Sequence, residues 1–267
     1  MIRIIVNADD FGWDENRTRA ILEAYRRGIV TTTTVMVNMP WFEKAVALAK
    51  ETDLSPNIGL HLCLTEGMPL TDKIRRSRLF CREDGSFHGR FHVSKLRRLM
   101  LPAFERKVVA EEIEAQMHKY IGAGLTMMHL DSHHHSHTDL SIARIALPLA
   151  RKLGFRTVRL SRNIGGGLSS VKRLYKWYVN RYMGNMLPFN ADFFGGFMDL
   201  ESCWNELPDG ARVEVMTHPL FRDRQSGDLS MDGEFVDHRS DIEAIPEFWT
   251  KHREDLVLMG AEEGIRR

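Results

Sequence analysis

Short apolar, β-branched runs alternate with helical patterns along this chain, and that alternation predicts a parallel sheet covered by helices. Ile2 to Val6 is a buried-strand run. Asp14 to Arg27 repeats as a helix that Gly28 closes, since glycine takes a positive φ at a helix end without strain. Thr33 to Val37 and Ile58 to Leu62 follow as strands, and between them a helix over Trp41 to Lys50 carries Ala45, Val46 and Ala49 on one face. Glu105 to Ile121 is the clearest amphipathic helix, ending at Gly122 and Gly124. Met127 to Leu130, Thr157 to Leu160, Asp192 to Phe194, Val213 to Met216 and Leu256 to Leu258 are further strands. A helix starting near Asp139 is expected to kink or break at Pro148, which has no backbone N–H to donate. Cys63 to His92 lacks any period and carries Gly67, Pro69, Gly85 and Gly89. Structureless stretches of that length are disordered or functional, so a lid or rim is expected there. The alternation of seven or so strands with helices favours an α/β fold, a single seven-stranded (β/α) barrel over an open sheet, with residues 1–267 as one domain and 63–92 as its insertion.

Composition narrows the function classes. The chain has 267 residues and is 43% hydrophobic, enough to bury one large core. Its 37 basic and 36 acidic side chains leave a net charge of +1, so no overall field gathers nucleic acid or an anionic membrane. Cys63, Cys81 and Cys203 suit neither a disulfide framework nor a zinc cluster and read as reduced thiols in a cytoplasmic protein. The apolar start is too short for a signal-peptide core, and no run approaches the ~20 apolar residues of a membrane span. Ser170 to Tyr182, with Lys172, Arg173, Lys176 and Arg181, reads as a solvated basic helix face.

Chemistry-bearing residues cluster where strands end. Asp9 and Asp10 follow the first strand, His61 ends the third, and Asp131, His133, His134, His135 and His137 follow the fourth. Arg159 lies at the end of the next, and His218 follows Val213 to Met216. In a parallel barrel those ends converge on one mouth. In Asn7-Ala8-Asp9-Asp10-Phe11-Gly12, adjacent carboxylates on extended backbone point different ways, so one can bind a cation while the other moves protons. A helix cap would account for one of them but not both. His61, taken alone in an apolar strand, reads more readily as a hydrogen-bonded core histidine than as a ligand. Five histidines between His129 and His137 are hard to place as packing, because each buried imidazole needs partners; a surface tract is the alternative. A carboxylate with two imidazoles suits a divalent ion with open positions, and imidazole tilts the choice toward Zn²⁺, Mn²⁺, Co²⁺ or Fe²⁺ over Mg²⁺. The sequence has no G-x-S-x-G elbow and no glycine-rich phosphate loop, which leaves hydrolysis by metal-activated water.

Five segments in order, Asn7-Ala8-Asp9-Asp10-Phe11-Gly12, Gly28-Ile29-Val30-Thr31, Gly59-Leu60-His61-Leu62 with Leu64-Thr65-Glu66-Gly67, His129 to His135, and Glu214 to Pro219, resemble the YdjC-like carbohydrate deacetylases, which include chitooligosaccharide deacetylases. The resemblance implies a (β/α) barrel with missing or irregular strands and removal of acetyl groups from N-acetylglucosamine-containing mono- or oligosaccharides. It implies one divalent ion, Mg²⁺ or similar, on Asp10, His61 and His133. By similarity to the wider polysaccharide deacetylase group, Asp9 is the general base and His218 the acid; Arg159, His135 and Asp131 would meet the substrate. Ser136-His137-Thr138-Asp139 departs from the Val-His-Met-Pro frequent in the family, which bears on the sugar rather than the chemistry. Trp13, Trp41, Phe87 and Phe91 are stacking candidates or ordinary packing. The implied partner is a sugar, not nucleic acid or membrane, and a homodimer is left open. The rival readings are a metal-dependent amide or ester hydrolase acting on a non-sugar substrate, and a catalytically silent metal- or sugar-binding protein.

Overall fold

A computed structural model describes residues 1–223, 225–226, 228–237, 242 and 244–260. Seven strands, β1 (Ile2–Phe11), β2 (Thr32–Val35), β3 (Ile58–Leu62), β4 (His129–Ser132), β5 (Thr157–Val158), β6 (Phe193–Gly196) and β7 (Arg212–Thr217), run parallel in the order β5-β4-β3-β2-β1-β7-β6. The sheet curls into an α/β barrel-type fold. β8 (Pro219–Arg222) and β9 (Glu234–Asp237) form a separate antiparallel hairpin, and β10 (Leu256–Leu258) joins the parallel sheet alongside β1. One edge of β1 is taken by β7 from Arg3 to Ala8; on the other, β10 takes Ile2 to Ile4 and β2 takes over from Asn7. Asn163 bridges the gap between β5 and β6, its backbone N–H donating to Phe194 O at 3.1 Å and its Oδ1 accepting from Phe194 N at 2.8 Å.

β1 runs on past the apolar stretch Ile2 to Val6 because its polar residues find partners on β2. Thr32 Oγ1 donates to Asn7 Oδ1 at 2.9 Å, and Thr33 Oγ1 donates to the Ala8 carbonyl at 2.6 Å. A polar strand end can be buried once its hydrogen bonds are met.

The helices are α1 (Glu15–Arg26), α2 (Phe42–Lys50), α3 (Arg90–Val93), α4 (Lys95–Leu99), α5 (Ala103–Gly122), α6 (Leu140–Lys152), α7 (Ser170–Met186), α8 (Phe197–Cys203) and α9 (Ala244–Lys251). Asp14 caps α1 by accepting from Arg17 N at 2.8 Å. The break expected at Pro148 does not occur: α6 runs through it. Pro148 and Arg144 both lie on the exposed side of α6, so the carbonyl that loses its helical donor stands on the solvent side of the helix and not in the core. Among the described residues no helix is long and apolar enough to cross a membrane.

The stretch 63–92 is a packed wall. Leu64, Ile74, Phe80, Phe87 and Phe91 are buried in the main core, so neither Phe87 nor Phe91 has a face free for a sugar. Two polar side chains of α5 hold its backbone. Glu112, itself buried, accepts from Leu70 N at 3.0 Å and Thr71 N at 2.8 Å, and Gln116 bonds both Cys63 N and Cys63 O. All three cysteines are buried and free.

Candidate active site

Asp9 and Asp10 take different partners, Arg159 and Asn7 for Asp9 and the imidazoles of His61 and His133 for Asp10, yet both line one cavity. The β1–β2 register shifts between Ala8 and Phe11, and Asp10 takes a φ of 71°. A left-handed non-glycine residue costs about 1–3 kcal/mol, least for Asp and Asn, and here it falls on the residue whose carboxylate meets His61 and His133. Gly12, at φ 82°, completes the turn; a Cβ there would sit 3.2 Å from Val35 Cγ2 and 3.3 Å from Phe42 Cα, so no other residue fits without displacement.

Asp10 gathers two imidazoles. His133 Nδ1 lies 2.9 Å and His61 Nε2 3.3 Å from Asp10 Oδ1. One donor atom from each of Asp10, His61 and His133 can be chosen so that all lie within 4.8 Å of one another. The far nitrogen of His61 is 2.7 Å from Asp131 Oδ1, an arrangement that fixes ring and tautomer. Burial opposes charge on both groups. Even so, His133 and His61 hold Asp10 well below the ordinary carboxylate range, and Asp131 with Asp10 pushes His61 up to about 10. The carboxylates beside His61 thus favour a positive charge at this trio.

Arg159 crosses the interior behind this trio with none of its side chain exposed. Its Nη1 and Nη2 donate to Asp9 Oδ2 and Oδ1 at 2.6 and 2.7 Å, Nη2 also lies 2.9 Å from Asp131 Oδ2, and Nε donates to Glu214 Oε1 at 2.5 Å. Burial alone would raise Asp9, yet the Arg159 guanidinium outweighs it and holds the carboxyl far below its usual range. Asn7 Nδ2 donates to Asp9 Oδ1 at 2.9 Å, and Thr34 Oγ1 donates to Asp131 Oδ2 at 2.9 Å. Arg159 and Asp131, expected at the substrate, have no exposed surface and stand behind the site, where they position Asp9 and His61. Glu214 opens one of the segments that carry the family resemblance but was given no role there; its signal is a charged residue inside an apolar strand, which must find a buried partner.

The five histidines divide by task. His129 sits on β4 at 2.9 Å from Thr157 Oγ1. His137 is wedged between Ser132 Oγ at 2.6 Å and the Arg159 carbonyl at 2.9 Å, a structural core histidine. His134 and His135 take left-handed φ values of 54° and 53°, which turns the chain so that both residues line the space beside His133. Burial and the nearby Arg159 charge hold His135 well below the usual imidazole range.

Residues 3–256 match the YdjC-like protein family. A carbohydrate deacetylase of Brevibacillus brevis is 33% identical over 232 residues, 83% of each chain. Another, of Vibrio parahaemolyticus, is 37% identical over 229 residues, 84% of this chain and 80% of that one. The chain belongs to the YdjC-like family. A solved Enterococcus faecalis structure, described as a cellobiose-phosphate cleavage protein, superposes on 99% of both chains with a TM-score of 0.69 at 23% identity, a likeness of fold.

In this YdjC-like chain, Asp9, Asp10, His61, His133, His135 and His218 share the wall of one cavity of about 450 Å³. His218, just beyond β7, has its backbone N–H held by Asp237 Oδ2 at 2.6 Å, and its Nε2 lies 3.7 Å from Asp9 Oδ2. Trp13 and Glu66 also line the cavity, whereas Trp41 does not. Asn16, on α1, clamps β8 by bonding both Phe221 N and Phe221 O at 2.8 Å, which brings Leu220 and Arg222 to the rim.

His137 carries a pH prediction for the YdjC-like chain. Burial pushes it down to about 4, so between its unfolded value near 6.5 and about 4 the unfolded chain binds a proton that the folded chain does not. Stability from this group is full above that window and falls as pH drops through it, by up to about 3 kcal/mol. Urea midpoints between about pH 7 and pH 4.5 check this, with His137→Gln expected to flatten the slope. A wild-type midpoint that stays level on acidification would count against it.

Proposed function

We propose that this chain is a metal-dependent hydrolase that removes acetyl groups from N-acetylated sugars, taking N-acetylglucosamine-containing mono- or oligosaccharides. The observation that carries the reading is the Asp10, His61 and His133 donor set on the wall of a sugar-sized cavity that also presents Asp9 and His218. The names of the Brevibacillus and Vibrio relatives support sugar deacetylation as the reaction.

The donor set fits a divalent ion. His133 Nε2 is buried without a hydrogen-bond partner, and the carboxylates that raise His61 would favour a cation in place of its proton. One carboxylate and two imidazoles favour Zn²⁺, Mn²⁺ or Co²⁺ over the Mg²⁺ of the family resemblance. Bound there, such an ion supplies Lewis acidity to the acetyl carbonyl and to a water. Asp9 is fixed by Arg159 and Asn7, stays ionised, and receives the water's proton on Oδ2, its face toward the cavity. His218 stands across from that oxygen and delivers a proton to the departing amine, so acetate and a free amino sugar leave. His135 lines the sugar side of the cavity as a neutral ring. The buried free cysteines support a reducing, cytoplasmic setting, and one shared core supports a single domain.

Acetate release from a panel running from N-acetylglucosamine to its oligomers, with each divalent ion added to chelator-treated protein, tests the reading. His133→Ala and His61→Ala are expected to lose stoichiometric metal and turnover together while the melting transition survives. Full metal occupancy in either variant removes that histidine from the donor set. No acetate with any sugar and any metal would return the site to a non-sugar hydrolase or a silent binding protein.

A further inference from the structure

Nine of the sixteen large apolar side chains exposed among the described residues come from two short stretches. Val93 (83% exposed), Leu96 and Met100 lie on and beside α3 and α4; Val171 (80%), Leu174 and Trp177 (60%) lie on α7. Both stretches are anchored on the same side of the barrel, at the start of α6. Arg98 Nε lies 2.5 Å from Asp139, Ser141 Oγ donates to Arg97 O at 2.7 Å, and Tyr175 Oη accepts from Leu140 N at 3.1 Å. They flank a cleft of about 720 Å³ that shares His134 and His135 with the metal-site cavity. An apolar surface this concentrated marks an interaction face.

The charge on this face is predominantly positive, with Asp139 and Asp199 paired to Arg98 and Arg162 behind it. Residues 85–104 and 160–191 hold nine lysines and arginines and no aspartate or glutamate, in a chain whose totals nearly cancel. Lys95, Arg98, Arg162, Lys172 and Lys176 line the cleft, and no carboxylate does. Burial and the neighbouring Arg162 and Arg98 charges push Lys176 down to about 8, in keeping with a cleft that favours an anion. A near-zero net charge thus conceals a segregated basic face. A second copy of the chain would have to set this cationic surface against itself, since a two-fold interface is self-facing. An anionic bilayer complements it: cations interleaved with Trp, Tyr and aliphatic side chains are the pattern of interfacial binding.

We propose that this face seats the protein on an anionic lipid bilayer, and that the cleft between α4 and α7 takes the phosphate-bearing part of a lipid-linked N-acetylated sugar. Its acetamido group then reaches the metal-site cavity past His134 and His135. The seat stands on the surface alone; the substrate class rests on the deacetylase reading above.

Co-sedimentation of the full chain with vesicles of equal parts phosphatidylcholine and phosphatidylglycerol, against phosphatidylcholine alone, tests the seat without needing turnover. Binding is expected to be about tenfold or more tighter to the mixed vesicles and to fall with added salt. Leu96→Ser combined with Trp177→Ser, both exposed and outside either cavity, should lose that binding while keeping the melting temperature and acetate release from soluble sugars. Equal binding to both vesicles, or binding that survives the double substitution, overturns the seat. So does a dimer in light scattering that the double substitution dissolves, for the face then serves a second copy. Given vesicle binding, an N-acetylglucosaminyl phospholipid in those vesicles should turn over about tenfold or more faster than the same sugar phosphate free in solution. Equal rates overturn the lipid-linked substrate. Vesicle binding with no acetate from any sugar supports the seat and sinks the deacetylase reading instead.

Discussion

Arg159→Met is expected to destabilise the protein by about 3–5 kcal/mol and to abolish turnover. The guanidinium is fully buried and bonds Asp9, Asp131 and Glu214 at once, so its loss takes the shared cation from three buried carboxylates and leaves only the His61 contact to Asp131 close at hand. An uncompensated buried charge is far more costly than a buried pair is stabilising, which is why deleting one partner has a large effect. The response to pH separates this cause from simple loss of packing. In the native protein Asp9 and Asp131 are held below their usual values, so their stabilising contribution is present above the ordinary carboxylate pKa and is lost as pH falls below it. In Arg159→Met the largest opposition to burial is gone and only the weaker pull of His61 and His218 remains, so the folded carboxyls bind protons more readily than they do in wild type and the variant loses less stability as pH falls. The deficit relative to wild type should therefore shrink between about pH 7 and pH 5, read from urea midpoints at each pH. Adding Glu214→Gln should recover part of the loss at neutral pH, since one stranded charge is removed. A deficit that is constant across the range would assign the effect to packing. Activity should not return with stability, because Asp9 would have lost the two bonds that aim it.

Much of the frame is legible in the sequence because burial on both faces makes parallel strands read as unbroken apolar runs. Ile58 to Leu62 matches β3 at both ends, and Leu256 to Leu258 matches β10. Long-range compensation is what the sequence conceals. β1 continues through Asn7 and Asp9 only because threonines of β2 and a guanidinium 150 positions away satisfy them. The stretch 63–92 shows no period because its order comes from Glu112 and Gln116 on α5, far along the chain, rather than from its own repeat. The β8–β9 hairpin shows too little apolar alternation to announce itself; α1 holds it through Asn16. At the site, strand-end position brought Asp9, Asp10, His61, His133 and His218 under suspicion, and the structure brings them to one cavity. The same logic could not tell a residue facing that cavity from one behind it. Arg159 and Asp131 end strands too, and only the inward crossing of the guanidinium removes them from the surface.

Asp9→Asn and Asp10→Asn are expected to fail in different ways, although the two residues adjoin in sequence and face one cavity. Asp10 supplies the only carboxylate of the proposed donor trio, with both imidazoles against its Oδ1. An amide there is a neutral and weaker ligand, so metal affinity should fall and excess metal should restore part of the turnover. Asp9 lies outside that trio. Its Oδ1 accepts from Asn7 and Arg159, while Oδ2 accepts from Arg159 and faces His218. An asparagine keeps its carbonyl in the Oδ1 position, where two donors wait, and sets its NH₂ against Arg159 Nη1 at the Oδ2 position. The variant loses one charge-assisted bond, about 1–3 kcal/mol of stability, together with the oxygen that would take the proton. Its turnover should drop by roughly 10²- to 10⁴-fold, the scale for losing a general base, with metal content intact and no rescue by added metal. Metal content, sugar affinity and turnover measured on both variants decide the roles. If Asp9→Asn sheds its metal, or Asp10→Asn keeps both metal and rate, the division of labour between the two carboxylates is refuted.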